Sequence, residues 1–276
     1  MPDTLHVVGR LERFRELVDR MHPSGLLYAT YEHRLVAELD RSRLPHHVAV
    51  LADGNRRWAR DNAPGEPLVA GYRAGADKLG EFVEWCDEIG IPVVTLWVLS
   101  TDNFSRSSAE EIEPLLRVIE EMVTGLAQSR RWQLHPFGAL DLLPPESAAL
   151  LRRAEADTAE LSGMVVNIAI SYGGRHELRD AVRSLLVEHA ANGTAIEDLA
   201  ATLDTDQIAE HLYTKGQPDP DLIIRTSGEQ RLSGFLMWQS AHSEFYFCEA
   251  LWPDFRKVDF IRALRSYGQR ERRFGR

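Results

Sequence analysis

Five short apolar runs are spaced along the chain, at 47–52, 92–99, 132–137, 164–170 and 221–225, with helix-like segments between them. Strands that alternate with helices are typical of a parallel sheet covered by helices. The helical segments 74–89 and 109–127 each carry an apolar stripe, which must pack against a sheet or a cavity. The sequence therefore predicts an α/β fold: a single domain with a central, mostly parallel sheet of about six strands, flanked by helices.

Composition limits the classes of function. The chain has 276 residues, of which 44% are apolar, and this is enough to bury a sizeable core. The formal net charge of −10 argues against nucleic acid or an anionic membrane surface as the main partner. Cys86 and Cys248 are far apart and form no CxxC motif, which fits a reducing compartment. Neither a signal-peptide pattern nor an apolar run long enough to span a membrane occurs, so the expected location is cytoplasmic.

The chain is expected to have two parts. Residues 1–44 have mixed charge and are partly helical, and we interpret them as an N-terminal helical leader that packs on its own subunit or on a partner. Residues 45–276 carry all five strand-like runs and form the main domain. No internal repeat or low-complexity tract interrupts either part.

The most informative loop directly follows the first apolar run. Residues 53–58 read Asp-Gly-Asn-Arg-Arg-Trp, so a carboxylate, a glycine and two guanidinium groups lie where a buried strand ends. In open α/β sheets, ligands bind outside the carboxyl ends of the strands, and arginines beside backbone N–H groups suit phosphate oxygens. We interpret this loop as part of a diphosphate site.

Two further loops collect polar residues at strand ends. Residues 100–106 follow the second run, and residues 225–233 follow the fifth, so that three such loops converge on one rim of the sheet. Arg225 and Arg231 bracket a Ser-Gly turn whose N–H groups are expected to form an anion nest. Glu244 lies in an aromatic stretch, where a carboxylate is costly to bury unless it is paired or binds a metal. Together with Asp53 it is a candidate ligand for Mg²⁺.

Each of these signals has an ordinary alternative. An aspartate before a glycine is usually a turn residue, and an arginine after a strand is usually solvated. The aromatic residues between Trp238 and Trp252 more often belong to a core or a dimer interface than to a ligand site. His46 and His47 are adjacent on a strand and point to opposite faces, so we assign them a structural role.

Taken together, the motifs resemble the cis-prenyltransferases, the undecaprenyl diphosphate synthase family. The resemblance covers residue 45 to the C-terminus. Its ordered motifs are 47–59, 71–75, 100–104, 167–169 with 172–175, 224–231, 251–255 and 271–275. Coincidence of so many ordered motifs is improbable.

The resemblance implies an activity and a set of site residues. Members condense isopentenyl diphosphate with an allylic diphosphate, adding Z double bonds, on a parallel α/β sheet in a homodimer with Mg²⁺ as cofactor. Asp53 and Asn103 are the implied catalytic residues, and Asp53 and Glu244 the implied metal ligands. The implied substrate-binding residues are Gly54, Asn55, Arg56, Arg57, Trp58, Tyr72, Ser100, Thr101, Asp102, Phe104, Arg106, Arg225, Arg231, Leu232 and Ser233. Because a neutral amide is a poor base, we interpret Asn103 as an orienting or relay residue.

Some positions differ from those of many family members. Tyr72 replaces a histidine and Leu68 an arginine, so two donors to the allylic diphosphate are altered, whereas Asp102 and Phe104 are smaller versions of the usual residues. A hydrophobic tunnel sets product length by where it is blocked, and the residues expected to block it are Val98, Leu79, Phe82 and Val83. Val98 replaces a small residue of the long-chain members. This resembles the short-chain branch, typified by (2Z,6E)-farnesyl diphosphate synthase, and predicts that geranyl diphosphate is the primer.

Other functions are weighed against this one. A longer-chain polyprenyl diphosphate synthase would share the motifs, and a non-catalytic subunit would share the fold but typically lacks the metal and diphosphate residues. A carrier module would bind a prenyl diphosphate without turnover. The ending Arg273-Phe274-Gly275 resembles a family tail that extends into a neighbouring subunit's site, although it is equally consistent with a solvated basic end. A lipid product would also allow loose association with the inner face of the plasma membrane.

Overall fold

The computed structural model describes residues 32, 34–102 and 109–269, and within them six strands form one sheet. The strands are β1 (His47–Leu51), β2 (Val93–Trp97), β3 (Gln133–Phe137), β4 (Val165–Ala169), β5 (Leu222–Arg225) and β6 (Glu244–Phe247). All neighbouring pairs are parallel. The five strands predicted from the apolar runs are confirmed, as is a sheet of six. The sixth strand, β6, lies in the aromatic stretch, where no strand had been assigned.

The order of the strands creates a natural binding crevice. The sheet runs β3-β4-β2-β1-β5-β6, so the chain leaves β1 toward one edge and continues from β5 toward the other. In such sheets, ligands bind between the carboxyl ends of the two strands at which the direction reverses. Those ends carry Asp53 after β1 and Arg225 at the end of β5, in agreement with the prediction that these loops share a rim.

Seven helices of the larger unit are described. They are α1 (Asn55–Asn62), α2 (Val69–Ile89), α3 (Ala109–Ser129), α4 (Pro145–Thr158), α5 (Gly174–Ala191), α6 (Ile196–Thr202) and α7 (Thr205–Ala209). The predicted helices 74–89 and 109–127 are confirmed as α2 and α3, and α2 begins five residues earlier than predicted. Helix α1 packs against α2, α2 against α3, and α3 against α4. The helices that follow the first two strands therefore pack as neighbours.

The core follows the alternation of side chains along each strand. Ala49 and Leu51 of β1, Ala169 of β4 and Ile223 of β5 share one buried cluster with Phe235 of the loop after β5. All five residues of β1 are buried, as expected for a central parallel strand that is covered on both faces. The loop that follows β5 is thus anchored to the sheet by its own apolar residues.

The chain divides into two compact units, Leu44–Phe255 and a smaller unit drawn from Met1–Arg43 and Arg256–Arg276. In the smaller unit, residues 34–37 are helical, and helix α8 spans Lys257–Gln269. Leu35, Val258 and Ile261 form its apolar cluster. Most of the predicted leader lies outside the described residues, so its boundary near residue 44 remains a prediction. Among the described helices, none has both the length and the apolar character that a membrane-crossing segment requires.

Candidate active site

The Asp53 loop is a tight turn from β1 into α1. Gly54 precedes the helix with φ of 118°, and a Cβ atom there would lie 3.0 Å from Leu251, so both conformation and space favour glycine. The backbone N–H of Asp53 donates to Thr226 Oγ1 at 3.0 Å, and that hydroxyl donates to the Asp53 carbonyl at 2.8 Å. Helix α1 therefore begins directly after this turn, beyond the carboxyl end of β1, and a helix N-terminus favours an anion.

A second segment fixes the same loop from behind. The Trp252 N–H donates to the Asp53 carbonyl at 3.0 Å, and Trp58 Nε1 donates to Asp254 Oδ1 at 2.8 Å. Gly75 of α2 also receives a hydrogen bond at its carbonyl from Trp252 Nε1, at 2.9 Å. The tryptophan of the Asp-Gly-Asn-Arg-Arg-Trp motif thus contacts the segment around Trp252, and this contact positions the loop.

Arg225 connects the loops that follow β1 and β5. Its side chain is only 4% exposed, and its Nη2 donates to Asp53 Oδ2 at 2.9 Å. Its Nη1 donates to Ser233 Oγ at 3.0 Å and also to the Arg231 carbonyl. The two loops predicted to form the diphosphate site are therefore joined by one buried guanidinium group.

The two oxygen atoms of the Asp53 carboxylate have different environments. Both Arg225 at 2.9 Å and Arg57 at 3.9 Å pair with its Oδ2 atom. Within the described part of the chain, its Oδ1 atom accepts no hydrogen bond or ion pair. Asp53 is therefore held by arginines on one side and can offer the other oxygen to a bound cation.

The predicted anion nest at the Ser-Gly turn is wrong. The Ser227 N–H donates to the Ala250 carbonyl at 2.7 Å, and the Gly228 N–H donates to the Cys248 carbonyl at 2.9 Å. Both donors are thus used to join this loop to the segment after β6. These two N–H groups are therefore not available to a bound anion.

The structure also contradicts a shared metal site for Asp53 and Glu244 of one chain. Glu244 begins β6 and lies level with Leu222, which in turn lies level with Val48. Asp53 lies beyond the opposite end of β1, and at about 3.3 Å per residue the two are separated by roughly 15 Å along the sheet. Two carboxylates so far apart cannot bind the same ion.

The remaining residues of the β5 loop are close to Arg225 but differ in exposure. Ser233, with φ of 51°, receives the hydrogen bond from Arg225, and Leu232 packs against the apolar cluster of the sheet. Arg231 is 65% exposed and pairs with Glu229. Arg231 therefore remains accessible to a ligand, whereas its own carbonyl helps to hold Arg225.

An apolar cavity opens beside the Asp53 loop. It encloses about 330 Å³ of empty space, part of which is open to solvent, and is lined mainly by α2, α3 and the end of β2. Its lining residues are Ala52, Asn55, Tyr72, Gly75, Ala76, Leu79, Trp97, Val98, Leu115, Val118, Ile119 and Met122. Since Ala52 and Asn55 flank Asp53 in the sequence, the charged site and the cavity share a boundary.

The four predicted chain-length residues occupy different positions. Leu79 and Val98 line the cavity. Phe82 and Val83 lie one turn further along α2, where both are fully buried, and Phe82 packs edge-on against Trp252 with ring centroids 5.7 Å apart. Leu79 and Val98 therefore lie where the prediction needs them, whereas Phe82 and Val83 pack behind the cavity, and the role of all four in chain length stays a prediction.

The third predicted loop is described only in part. Ser100 forms a parallel bridge with Tyr172, and the Thr101 N–H donates to the Tyr172 carbonyl at 3.1 Å. Thr101 and Asp102 are helical. Asn103, Phe104 and Arg106, together with the C-terminal motif at 271–275, lie outside the described residues, so their predicted roles remain predictions.

A buried polar network was missed by sequence reasoning. The Tyr172 hydroxyl donates to Glu177 Oε2 at 2.6 Å and accepts the Leu236 N–H at 3.1 Å, and Gln239 Nε2 donates to Glu177 Oε1 at 2.9 Å. Burial raises the pKa of Glu177, and burial together with the nearby Glu177 raises the pKa of Tyr172. The network holds the loop after β5 against the start of α5. Its only sequence signal is a tyrosine five residues before a glutamate at a strand-to-helix turn.

Comparison with known proteins decides the family. The family model described as "Putative undecaprenyl diphosphate synthase" matches residues 51–275. This chain belongs to the cis-prenyltransferase family. It is a transferase of prenyl groups, and its parallel sheet flanked by helices is the architecture of its structural relatives.

Relatives at high identity cover nearly the whole chain. A protein named "(2Z,6E)-farnesyl diphosphate synthase" from Thermobifida fusca is 59% identical over 249 residues, which are 90% of this chain and 97% of that protein. "Isoprenyl transferase 1" from Streptomyces avermitilis is 55% identical over 250 residues, covering 91% of this chain and 96% of the relative. The crystal structure of lavandulyl diphosphate synthase from Lavandula x intermedia in complex with dimethylallyl diphosphate has a TM-score of 0.78 and 32% identity, and covers 85% of this chain and 100% of that one.

Proposed function

We propose that this cis-prenyltransferase condenses isopentenyl diphosphate with a short allylic diphosphate, most simply geranyl diphosphate to give (2Z,6E)-farnesyl diphosphate. The observation that carries the proposal is the shared boundary of the charged loop and the apolar cavity, where Ala52 and Asn55 of the lining flank Asp53. An allylic diphosphate has the same two parts, a charged head and a hydrocarbon tail. The name of the Thermobifida fusca relative supports this choice of product.

The residues around Asp53 suit the bond that must break. When an allylic diphosphate ionises, negative charge develops on the leaving group, and fixed positive groups stabilise it more in the transition state than in the ground state. The N-terminus of α1 and the Arg57 guanidinium, which is 3.9 Å from Asp53 Oδ2, supply such groups. Because Arg57 lies in the first turn of α1 and pairs with Asp53 just before that helix, this arrangement is preorganised before substrate arrives.

The second substrate is assigned to the β5 loop. Arg231 is exposed and Ser233 lies within hydrogen-bond distance of Arg225, so a diphosphate bound there would contact two side chains of one loop. Arg225 is buried and engaged with Asp53, and we therefore assign it to positioning both loops. Arg106 is assigned to the same substrate by the family resemblance. The proton that leaves the condensed chain is assigned to a path past Asn103, with the released diphosphate as the stronger base.

Mg²⁺ is the cofactor that fits the donor set at Asp53. This ion is usually bound through one or two carboxylates together with substrate phosphate oxygens, and the Oδ1 atom of Asp53 can supply one such ligand. When bound, Mg²⁺ would neutralise charge on the diphosphate and so make it a better leaving group. Groups of three or more histidine, cysteine, aspartate or glutamate side chains that could bind a metal do not occur among the described residues. Mg²⁺ usually keeps several water ligands beside its carboxylate and phosphate oxygens.

We assign the length of the product to side chains that line the apolar cavity. Val98, directly after β2, and Leu79 of α2 narrow this cavity from two sides. We assign the limit on chain length to these two side chains.

A homodimer is proposed from the edge of the sheet. Strand β6 is an edge strand in which the Phe245 and Phe247 rings stack with centroids 6.4 Å apart, and Phe247 is 40% exposed. An apolar edge strand is prone to associate with another chain, and a second copy of this chain would cover it. Both Cys86 and Cys248 are free, which is consistent with the predicted cytoplasmic location. Association with a membrane would come through the lipid product.

Product analysis tests the proposal. Purified protein is incubated with Mg²⁺, labelled isopentenyl diphosphate and geranyl diphosphate, and the dephosphorylated products are sized by chromatography. We expect one condensation product with a Z double bond, loss of activity in Asp53→Asn, and normal activity in the control Asp61→Asn, which changes an exposed residue of the same helix region. Binding without condensation would instead indicate a carrier or a non-catalytic subunit, and products of ten or more isoprene units would indicate a long-chain synthase.

A further inference from the structure

Two helices line the cavity with apolar stripes that end in polar residues at the Asp53 side. On α2 the stripe is Tyr72, Gly75, Ala76 and Leu79, at helical spacing. On α3 the lining residues Leu115, Val118, Ile119 and Met122 continue the face on which Glu111 lies one turn earlier. Tyr72 and Glu111 thus occupy equivalent places at the mouth of the cavity.

Arg56 of α1 joins these two residues. Its Nε donates to the Tyr72 hydroxyl at 3.0 Å, and the hydroxyl donates in turn to Glu111 Oε1 at 3.3 Å. The same Nε lies 3.6 Å from Glu111 Oε1. Three helices therefore meet at one polar bridge, directly beside the lining residue Asn55.

The bridge is one of the contacts that orient the Arg56 guanidinium. It is made through Nε, on one edge of a planar group that carries five N–H donors. Side chains of Arg56 and Glu111 are 38% and 24% exposed, so solvent reaches the bridge and the ion pair alone adds little stability. The main effect of the bridge is to hold the positively charged Arg56 side chain at the place where the apolar cavity begins.

We infer that Glu111 is a positioning residue for the allylic primer, which acts through Tyr72 and Arg56 to hold a guanidinium over the mouth of the cavity. The inference rests on the proposed function, because it assigns the diphosphate of the primer to this mouth and its hydrocarbon tail to the cavity. The second substrate is assigned to the loop after β5, and none of the three bridge residues belongs to that loop. Loss of the bridge should therefore weaken binding of the primer alone.

Four variants test this role. Glu111→Ala removes both contacts of the carboxylate, Glu111→Gln keeps an acceptor for the Tyr72 hydroxyl but removes the charge, and Tyr72→Phe removes the hydroxyl. The matched control is Glu113→Gln, on the same helix, where Glu113 pairs with Arg117 on the exposed surface. Each protein is titrated with geranyl diphosphate alone, and the KM for each substrate and the kcat are then measured. Thermal unfolding confirms that each variant is folded.

We expect the Kd and KM for geranyl diphosphate to rise roughly three- to tenfold in Glu111→Ala and in Tyr72→Phe, and less in Glu111→Gln. The KM for isopentenyl diphosphate and the kcat at saturation should stay within about twofold of the parent values, as should all constants of Glu113→Gln. A fifth protein, which combines Glu111→Ala with Tyr72→Phe, should resemble the worse of the two single variants, because both residues act through one guanidinium.

An unchanged or lowered Kd for geranyl diphosphate in Glu111→Ala would overturn the inference, as would an equal rise in both KM values. If Glu111→Ala does not fold, Glu111→Gln and Tyr72→Phe decide the question by the same criteria. The titration needs no turnover, so an inactive parent protein that still shows the expected shifts in Kd would contradict the proposed function and leave the positioning role standing.

Discussion

Two glycines of α2 provide a matched test of how the site is positioned. A Cβ atom at Gly71 would lie 2.2 Å from the Asn55 carbonyl oxygen and 2.9 Å from Ala59 Cβ, both in α1. At Gly80, on the same helix, no atom lies within 4 Å of an added Cβ. Replacement of either glycine by alanine gives the same gain in helix propensity, so the two variants differ mainly in the contact with α1.

The magnitudes follow from these distances. Ordinary contact begins at about 3.4 Å, so Gly71→Ala must move Asn55 by about 1 Å, and overpacking of this kind costs about 1–3 kcal/mol. The propensity gain offsets up to about 1 kcal/mol of this cost. A displacement of about 1 Å in the loop that carries Asp53 is expected to lower kcat/KM by about 100-fold. Gly80→Ala should stabilise the protein by about 0.5–1 kcal/mol and leave kcat/KM unchanged.

Urea unfolding and steady-state kinetics measure both effects. The two variants should move in opposite directions in stability, and only Gly71→Ala should lose activity. Wild-type kinetic constants in a folded Gly71→Ala protein would refute the reasoning, because the distance between α1 and α2 would then not control the site. Equal losses of activity in both variants would refute it as well.

Three other predictions concern buried groups and product length. Burial lowers the pKa of His47 to about 4. Between pH 6.5 and 4 the unfolded chain therefore binds a proton at this residue that the folded protein does not, and the free energy of unfolding should fall by about 3 kcal/mol over that range. His47→Gln should make the free energy of unfolding less dependent on pH, whereas the control His46→Gln, at an exposed residue, should not. Glu177→Ala leaves the Tyr172 hydroxyl and two further donors without their acceptor, so the free energy of unfolding, measured with urea, should fall by about 3–5 kcal/mol. The KM for isopentenyl diphosphate should rise as well. A loss under 1 kcal/mol would contradict the role of this network. Val98→Ala should lengthen the product on chromatography, and an unchanged length would remove Val98 from that role.

The parallel sheet could be predicted from the sequence alone because its strands have a strong and simple sequence pattern. Each central strand is an apolar run of five or so residues between polar turns, and parallel strands must end at the same edge. This is why Asp53 and Arg225 could be placed together before any coordinates. The resemblance in motifs then pointed to the family that the comparisons support.

The prediction for Glu244 was wrong because the position of this residue depends on how its strand is aligned with the neighbouring strands, and not on the apolar pattern of the sequence. Glu244 precedes the apolar residues of β6, as Asp221 precedes β5, and a polar residue before a parallel strand lies at the edge opposite the site. This signal was present but was outweighed by the aromatic context. The nest at Ser227 failed for another reason, since its donors pair with a segment at least twenty residues away, and sequence pattern does not reveal such pairing.

Contacts between side chains of different helices were also beyond sequence reasoning. The bridge from Arg56 through Tyr72 to Glu111 depends on the angles at which α1, α2 and α3 pack, and small residues such as Gly71 allow that close packing. Local propensity contains no information on these angles. The motif residues were thus identified correctly, whereas the residues that position them needed the structure.

The most direct test of the account is a crystal structure of the protein with Mg²⁺ and geranyl thiolodiphosphate, an analogue whose carbon–sulfur bond resists ionisation. We predict the diphosphate at the N-terminus of α1, with Mg²⁺ on Asp53 Oδ1 and the geranyl chain between α2 and α3, in contact with Leu79 and Val98. A hydrocarbon chain bound outside that cavity, or a diphosphate bound away from Asp53, would contradict the account.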